Sequence, residues 1–283
     1  MTRLCPFLLL AVALAAGCGD DNAPSTVDGG RDAGETPVDA ATPIDSGLFP
    51  DAGGDDAGEL PIDGGTPDAG SFEDAGSDAG IDPLGTIAGS CGVLDDLELL
   101  GAEPFYFENR FDFPMGFSDP DDRSLLSEGA QELLSDGTAG GSSGLSEAIS
   151  FEVLHRCEGA VLIKSEIEIV YDPPTSVKTD ILVAIDGHRI GVSVTRAVGF
   201  PRDVPYTVDR ARTLLEDKLA DILVSSANVV EDDAWEKQIL FVVAYADMHA
   251  DSIMSAWELV DTTLRADTIL WVMVSDGDDA FLY

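Results

Sequence analysis

The stretch AVLIKSEIEIVYDPPTSVKTDILVAIDGHRIGVSVTR, residues 160–196, decides the fold of this chain. It contains three apolar runs rich in β-branched residues, which we interpret as consecutive strands: Val161–Tyr171, Thr179–Ile185 and Arg189–Thr195. The dipeptide Asp186-Gly187 separates the last two runs and favours a two-residue hairpin turn, because glycine tolerates positive φ. The stretch therefore predicts the middle of a β-sheet.

The polar residues of these strands form one predicted patch on an otherwise apolar sheet, because side chains alternate between the two faces of a strand. The patch comprises Glu166, Glu168, Asp180, Ser193 and Thr195, with Lys164 at its margin. Carboxylates on neighbouring strands repel one another unless a proton, a cation or water relieves them. The patch is either a metal or substrate site or a solvated sheet face, and ordinary alternation favours the solvated face.

The charge of the chain bears on its partners. Its 283 residues include 54 acidic and 15 basic residues, which gives a formal net charge of −39. From Leu84 onward there are 37 acidic and 13 basic residues, so the folded part itself carries −24. Contacts from Lys and Arg to phosphate supply most non-specific nucleic-acid affinity, and we therefore expect no nucleic-acid partner.

The first residues, MTRLCPFLLLAVALAAGCGDD, have the architecture of a secretory signal: one basic residue, an apolar run and then small residues. The segment Leu14–Cys18, LAAGC, resembles the lipobox of bacterial lipoproteins. That resemblance implies a signal peptide over 1–17 and acylation of Cys18, and several acyl chains give stable membrane anchoring. Gly19 after the cysteine favours the outer membrane over the inner one. The alternative is an ordinary signal peptide followed by a free cysteine.

Residues 18–83 are predicted to be a disordered acidic tether. Asp-Ala-Gly recurs six times between residues 32 and 80, prolines interrupt the segment, and aromatic residues are almost absent. Such a composition buries too little apolar surface to offset chain entropy. The repeat spacing is irregular, which argues against calcium-binding loops. The sequence thus predicts a membrane-bound protein whose folded body stands away from the membrane.

Two cysteines, Cys91 and Cys157, remain in the mature chain after Cys5 and Cys18 are assigned to the signal and the anchor. Two thiols in an exported protein predict one disulfide, and two separate buried thiols are the alternative. No Cys-x-x-Cys motif is present, so the sequence favours neither redox chemistry nor a zinc site.

The folded part divides into an irregular, aromatic-rich arm with a short helix over 84–144 and an α/β core over 145–283. The pattern of the core predicts a mixed central sheet and the order helix, three strands, helix, strand, helix, strand. A Gly/Ser loop over 136–144 leads into the first of these helices. It acts as a connector or, less favoured, as an anion site at the helix N-terminus.

The element order over 146–275 resembles the restriction-endonuclease-like, or PD-(D/E)XK, nuclease fold. The resemblance implies Mg²⁺ bound by an Asp before the second strand, here Asp180, and by a Glu-x-Lys motif on the third strand. The positions of that motif are occupied by Ser193-Val194-Thr195, which supply neither the carboxylate nor the lysine. By the resemblance, Glu166 or Glu168 then replaces the carboxylate and Lys218 replaces the lysine. A further carboxylate in the first helix corresponds to Glu147 or Glu152.

The departures from the Glu-x-Lys motif favour a non-catalytic module of a membrane-anchored lipoprotein, which binds an unidentified protein or ligand or acts in envelope structure. The alternative is a divergent Mg²⁺-dependent phosphodiester hydrolase. Its catalytic residues would come from the set Glu147, Glu166, Asp180, Thr195 and Lys218, with Asp180 and Glu166 as metal ligands.

Overall fold

The computed structural model describes residues 82–117, 119–138, 143–202 and 204–283. The predicted signal peptide, the anchor at Cys18 and all but the last two residues of the predicted tether lie outside this part of the chain. Within the described ranges, no helix combines the length and apolarity needed to cross a bilayer.

A mixed seven-stranded sheet forms the centre of the described chain, with the strand order β1-β2-β7-β6-β5-β4-β3. Strands β2, β7, β6 and β5 run parallel, whereas β1 is antiparallel to β2 and β4 is antiparallel to both β3 and β5. The predicted α/β class and mixed sheet are confirmed. The strands are β1 (Thr86–Gly89), β2 (Phe105–Phe113), β3 (Val161–Ser165), β4 (Ile181–Ile185), β5 (His188–Ala197), β6 (Lys237–Ala244) and β7 (Ile269–Gly277).

Helices cover both faces of the sheet. They are α1 (Asp96–Leu100), α2 (Glu128–Asp136), α3 (Gly144–Glu158), α4 (Val208–Asn228), α5 (Asp247–Trp257) and α6 (Thr262–Arg265). Helices α2 and α3 pack on one face, to which β6 contributes Ile239 and Phe241. Helices α4 and α5 pack on the other face, to which β6 contributes Leu240 and Val242. Because β6 is buried on both faces, its sequence is a continuous apolar run rather than an alternating one.

The predicted order from the first core helix to the last core strand matches α3, β3, β4, β5, α4, β6, α5 and β7, with the short α6 added before β7. Thr207 caps α4, since its side chain accepts a hydrogen bond from the Arg210 amide. The strands that follow the helices form the parallel pairs β5–β6 and β6–β7.

The first strand of the predicted meander is shorter than expected. It ends at Ser165, and the Glu168 amide then donates to the Ser165 carbonyl in a turn. The reason is the lack of a pairing partner, because β4 begins only at Ile181, opposite Ser165. Ile169 instead packs with buried Leu182 in a small separate cluster.

The expected irregular arm over 84–144 contains a strand of the central sheet. Strand β2 lies between β1 and β7, so the sheet crosses the boundary drawn at residue 144. Its sequence, FYFENRFDF, alternates apolar and polar residues, and Phe111 and Phe113 are fully buried. The short helix expected after it divides into a 3₁₀ helix over Pro120–Leu125 and helix α2.

The predicted disulfide between Cys91 and Cys157 is confirmed, with a Cα–Cα distance of 4.5 Å. It links the segment after β1 to the end of α3, across 66 residues of sequence. The adjacent Glu158 carboxylate accepts hydrogen bonds from the amides of Gly92, Val93 and Leu94. The covalent link and these hydrogen bonds fix the N-terminal part of the described chain to the core.

Candidate functional site

The candidate site lies at the edge of the sheet where β3 and β5 end and β4 begins. Because these strands form an antiparallel meander, Ser165 pairs with Ile181 and Ile181 pairs with Val192. Asp180, directly before β4, is therefore next to the end of β5. The Val194 amide donates a 2.6 Å hydrogen bond to Asp180 Oδ2 and fixes the carboxylate at this edge.

A cavity of about 290 Å³ opens at this edge, and we call it the polar cavity. Its lining comes from five separate parts of the chain: the start of α3, the turn after β3, the residue before β4, the end of β5, and α4. The fold thus brings together four of the residues predicted from sequence. The lining residues are Ser143, Ser146, Glu166, Asp180, Val194, Thr195, Arg196 and Lys218.

Burial raises the pKa of Asp180 to about 7. The hydrogen bond from Val194 and the charge of Lys218 oppose this rise, whereas the charges of Glu147 and Glu166 add to it. The carboxyl group therefore carries a proton in a large fraction of molecules at neutral pH. A carboxyl group that titrates near pH 7 inside a cavity is typical of functional sites.

Glu147, the remaining predicted residue, lies in the first turn of α3 and is buried. Burial raises the pKa of its carboxyl group, and the charge of Glu166 raises it further. A hydrogen bond with Ser143 and the charge of Arg196 act in the opposite direction. Glu147 is thus coupled to the polar cavity through charge, although it is not among the residues that line it.

The polar cavity contains hydrogen-bond donors that the protein does not use. Within the described chain, Lys218 forms no hydrogen bond and no ion pair within 4.0 Å. The Oγ of Ser146 is buried and has no hydrogen-bond partner in the same part of the chain. Buried polar groups in folded proteins normally have partners, so the Ser146 hydroxyl points to a ligand, and the half-buried Lys218 adds an unpaired cation beside it.

The pocket carboxylates do not form a dedicated three-ligand metal cage. Among the described residues, the group with three ligand oxygens mutually within 4.8 Å is Glu132, Asp136 and Glu168, which is exposed and lies outside the polar cavity. Mg²⁺ usually takes only one or two protein carboxylates and keeps several waters. Asp180 and Glu166, which both line the polar cavity, supply carboxylates of that number.

Other residues predicted for the site make contacts outside the polar cavity. Lys164 donates a 2.6 Å hydrogen bond to Asp233 Oδ1, and the Glu168 carboxylate accepts from the Ser165 amide. Glu152, proposed as an alternative to Glu147, accepts from Arg156 Nε and from the Ser127 amide. These residues hold the fold together and take no part in the polar cavity.

Sequence reasoning missed four cavity residues: Ser143, Ser146, Val194 and Arg196. Arg196 directly follows Thr195 at the end of β5 and both residues line the cavity, so strict alternation along the strand gave no signal. Ser146 lies within the first turn of α3, which begins at Gly144. The Gly/Ser loop before α3 was the available signal, and its last residue, Ser143, lines the cavity.

Comparison with known proteins identifies no family. No family model and no solved structure matches the chain. The AAC-rich mRNA clone AAC4 protein of Dictyostelium discoideum is 42% identical over 154 residues, which are 52% of this chain and 22% of that protein. The match therefore spans about a fifth of that relative, whose name states no activity.

Proposed function

We propose that this chain is an exported lipoprotein, anchored through Cys18 to the outer membrane, whose folded domain binds a small oxyanion without cleaving it. An oxyanion such as a phosphate ester would occupy the polar cavity. One observation carries this proposal: Lys218 lines the cavity without a hydrogen-bond or ion-pair partner in the described chain. The ammonium group of a lysine without a partner in the protein is available to bind an anionic ligand.

The proposed fold is restriction-endonuclease-like. Its support is the order α3, β3, β4, β5, α4, β6 and the position of Asp180 directly before the second of the three strands. The Glu-x-Lys slot lies beside it on β5, where the Val194 amide bonds Asp180. This fold is associated with phosphate esters, which agrees with an oxyanion as the ligand.

Binding without cleavage is favoured because Ser193 and Thr195 occupy the positions of the motif's carboxylate and lysine. The strongly acidic body also argues for a small ligand, since a net charge of −24 repels a nucleic-acid polyanion. A single oxyanion is accommodated more easily, because Asp180 can be neutral at pH 7 and then offers a hydrogen-bond donor.

Calorimetric titration of the full chain in detergent with sodium phosphate tests this proposal. We expect Lys218→Met to weaken phosphate binding at least tenfold. Lys178→Met is the matched control, because it removes the same charge outside the polar cavity and should leave the affinity unchanged. Absence of phosphate binding, or equal binding by wild type and Lys218→Met, would contradict the proposal.

A second function, Mg²⁺-dependent phosphodiester hydrolysis, is favoured by the convergence of Glu166, Asp180, Thr195 and Lys218 in one cavity. Asp180 and Glu166 would hold the ion, and the ion would stabilise negative charge on the phosphoryl group. Lys218 would orient the attacking water and Thr195 would donate a hydrogen bond to the ester.

Hydrolysis of bis(4-nitrophenyl) phosphate with Mg²⁺ or Mn²⁺ separates the two functions. If the chain is a hydrolase, metal-dependent release of nitrophenol is lost in Asp180→Asn and retained in Asp217→Asn, a change on the exposed face of α4. If it is a binding protein, phosphate binds without metal and no nitrophenol is released above the buffer rate.

The anchor is tested separately by incorporation of labelled palmitate during expression in a bacterium. We expect the label in the wild type and in Cys5→Ser, and its loss in Cys18→Ser. Fractionation should place the labelled protein in the outer membrane. Labelling of Cys18→Ser at the wild-type level would disprove the lipid anchor.

A further inference from the structure

A second cavity adjoins the polar cavity at the end of β5. It has a volume of about 400 Å³ and is lined by Thr195, Arg196, Val198, Phe200 and Tyr283. Thr195 and Arg196 also line the polar cavity, so the two spaces share a wall. A ligand bound at Arg196 in the polar cavity would therefore lie beside the second cavity.

Phe200 gives the second cavity a different chemical character. Its side chain is 74% exposed, the largest exposed fraction among the large apolar side chains of the described chain. Covering an aromatic ring with another apolar or planar group is favourable, because it removes apolar surface from water and permits ring stacking. The exposed Phe200 ring beside the second cavity is therefore suited to bind a planar group of a ligand.

Tyr283, which also lines the second cavity, is held in place by an edge-to-face contact with Tyr245 and by a cation. The guanidinium of Arg202 lies 5.6 Å from the centre of the Tyr245 ring and 5.5 Å from that of Tyr283. Arg202 Nη2 also donates a 2.9 Å hydrogen bond to the Tyr283 carbonyl. Arg196 Nη1 donates to the Leu282 carbonyl at 2.9 Å, which fixes the residue shared by both cavities. Tyr283 and Arg196, which line the second cavity with Phe200, are therefore preorganised.

We propose that the second cavity is a subsite for the planar part of the ligand. The ligand is then an aryl or nucleoside phosphate of small size, with its phosphate at Lys218 and Arg196 and its ring against Phe200. This inference rests on the proposed oxyanion-binding function and names its ligand class. The two volumes, about 290 and 400 Å³, fall in the range of sites for small molecules.

The experiment compares phenyl phosphate with inorganic phosphate by calorimetry on the full chain in detergent. We expect wild type to bind phenyl phosphate about tenfold more tightly than inorganic phosphate. Phe200→Ala should reduce this preference to less than twofold and leave the affinity for inorganic phosphate unchanged. Leu97→Ala, which truncates another exposed apolar side chain on α1, is the control and should retain the full preference.

The outcomes distinguish this inference from the function on which it rests. If wild type shows no preference for phenyl phosphate, or Phe200→Ala keeps the preference, the subsite is disproved. In that case inorganic phosphate binding that depends on Lys218 would still support the oxyanion site. If neither phosphate binds, the oxyanion site and the subsite are both disproved.

Discussion

Substitution of Asp180 by Asn gives the sharpest test of the electrostatics of the polar cavity. Asn keeps the side-chain oxygen that accepts the hydrogen bond from the Val194 amide, but it carries no charge. The substitution therefore removes the titration of this group and little else. Its effect on stability should depend on pH, because only the wild type pays for holding a carboxylate in this place.

The magnitude follows from the pKa of Asp180, which rises from an ordinary value of 3.8 to about 7 on folding. The folded state then holds the proton more tightly than the unfolded state, so wild-type stability falls as pH rises between these two values. One pKa unit corresponds to about 1.36 kcal/mol. Between pH 5 and pH 8 the wild type should lose about 2–3 kcal/mol that Asp180→Asn does not lose.

Urea unfolding at pH 5 and pH 8 measures this difference. We expect Asp180→Asn to gain about 2–3 kcal/mol relative to wild type between the two pH values. Asp217→Asn, at an exposed position on α4, is the control and should show no such gain. A stability difference between Asp180→Asn and wild type that is the same at pH 5 and pH 8 would refute a pKa near 7.

The remaining predictions concern ligand linkage and stability. Sulfate, an oxyanion whose charge is constant over this range, should bind more tightly as pH falls through 7, because protonation of Asp180 removes a negative charge, whereas Mg²⁺ should bind more tightly as pH rises; calorimetry across pH 6–8 decides between them. Asp233→Asn should cost about 1–3 kcal/mol in urea unfolding at pH 7, since it breaks the ion pair with Lys164. Burial raises the pKa of Asp233, but the Lys164 hydrogen bond, the Val170 amide and the charges of Lys164 and Arg189 together lower it further than burial raises it, so this loss should shrink below about pH 4. Replacing Cys91 and Cys157 together by Ala should lower the free energy of unfolding by about 3–4 kcal/mol, because the disulfide closes a loop of 66 residues.

The order of elements from α3 to β7 could be predicted because local patterns determine it. The continuous apolar runs of β6 and β7 indicate buried parallel strands, and Asp186-Gly187 sets the hairpin between β4 and β5. The end of β3 could not be predicted in this way. The apolar residues continue past Ser165, and the strand stops only because β4 offers no partner there.

For strand β2, the sequence contained a local signal, but the position of the strand in the sheet could not be predicted from it. Its alternating sequence carried the signal for a strand, but flanking prolines and the lack of a preceding strand pattern favoured an arm. Its position between β1 and β7 depends on contacts with residues about 160 positions later in the chain. Such long-range pairing leaves no local trace beyond the alternation itself.

The candidate site was predictable to the extent that strand register determines it. Asp180 and Thr195 meet because the β4–β5 hairpin places them at one edge. Glu168 was assigned to the same patch only because alternation was extended beyond Ser165, the true end of β3. Lys164 lies within β3, but its ammonium contacts Asp233 instead of the cavity. Lys218 joins the cavity through the packing of α4 on the sheet, which the sequence suggested only through the nuclease resemblance.

Two acid–lysine arrangements in this chain show why the polar cavity is better explained by a ligand than by stability. Asp233 and Lys164 meet at 2.6 Å, and this contact, together with the Val170 amide and the charge of Arg189, holds the pKa of Asp233 below its usual range against the effect of burial. Lys218 lowers the pKa of Asp180 too, yet the two form no ion pair within 4.0 Å in the described structure, and the pKa of Asp180 stays raised. A direct pair would relieve both groups, as the first arrangement demonstrates. Asp180 has no such direct pair, so its ionised form costs stability, and a bound oxyanion would accept hydrogen bonds from the lysine and from the protonated carboxyl group.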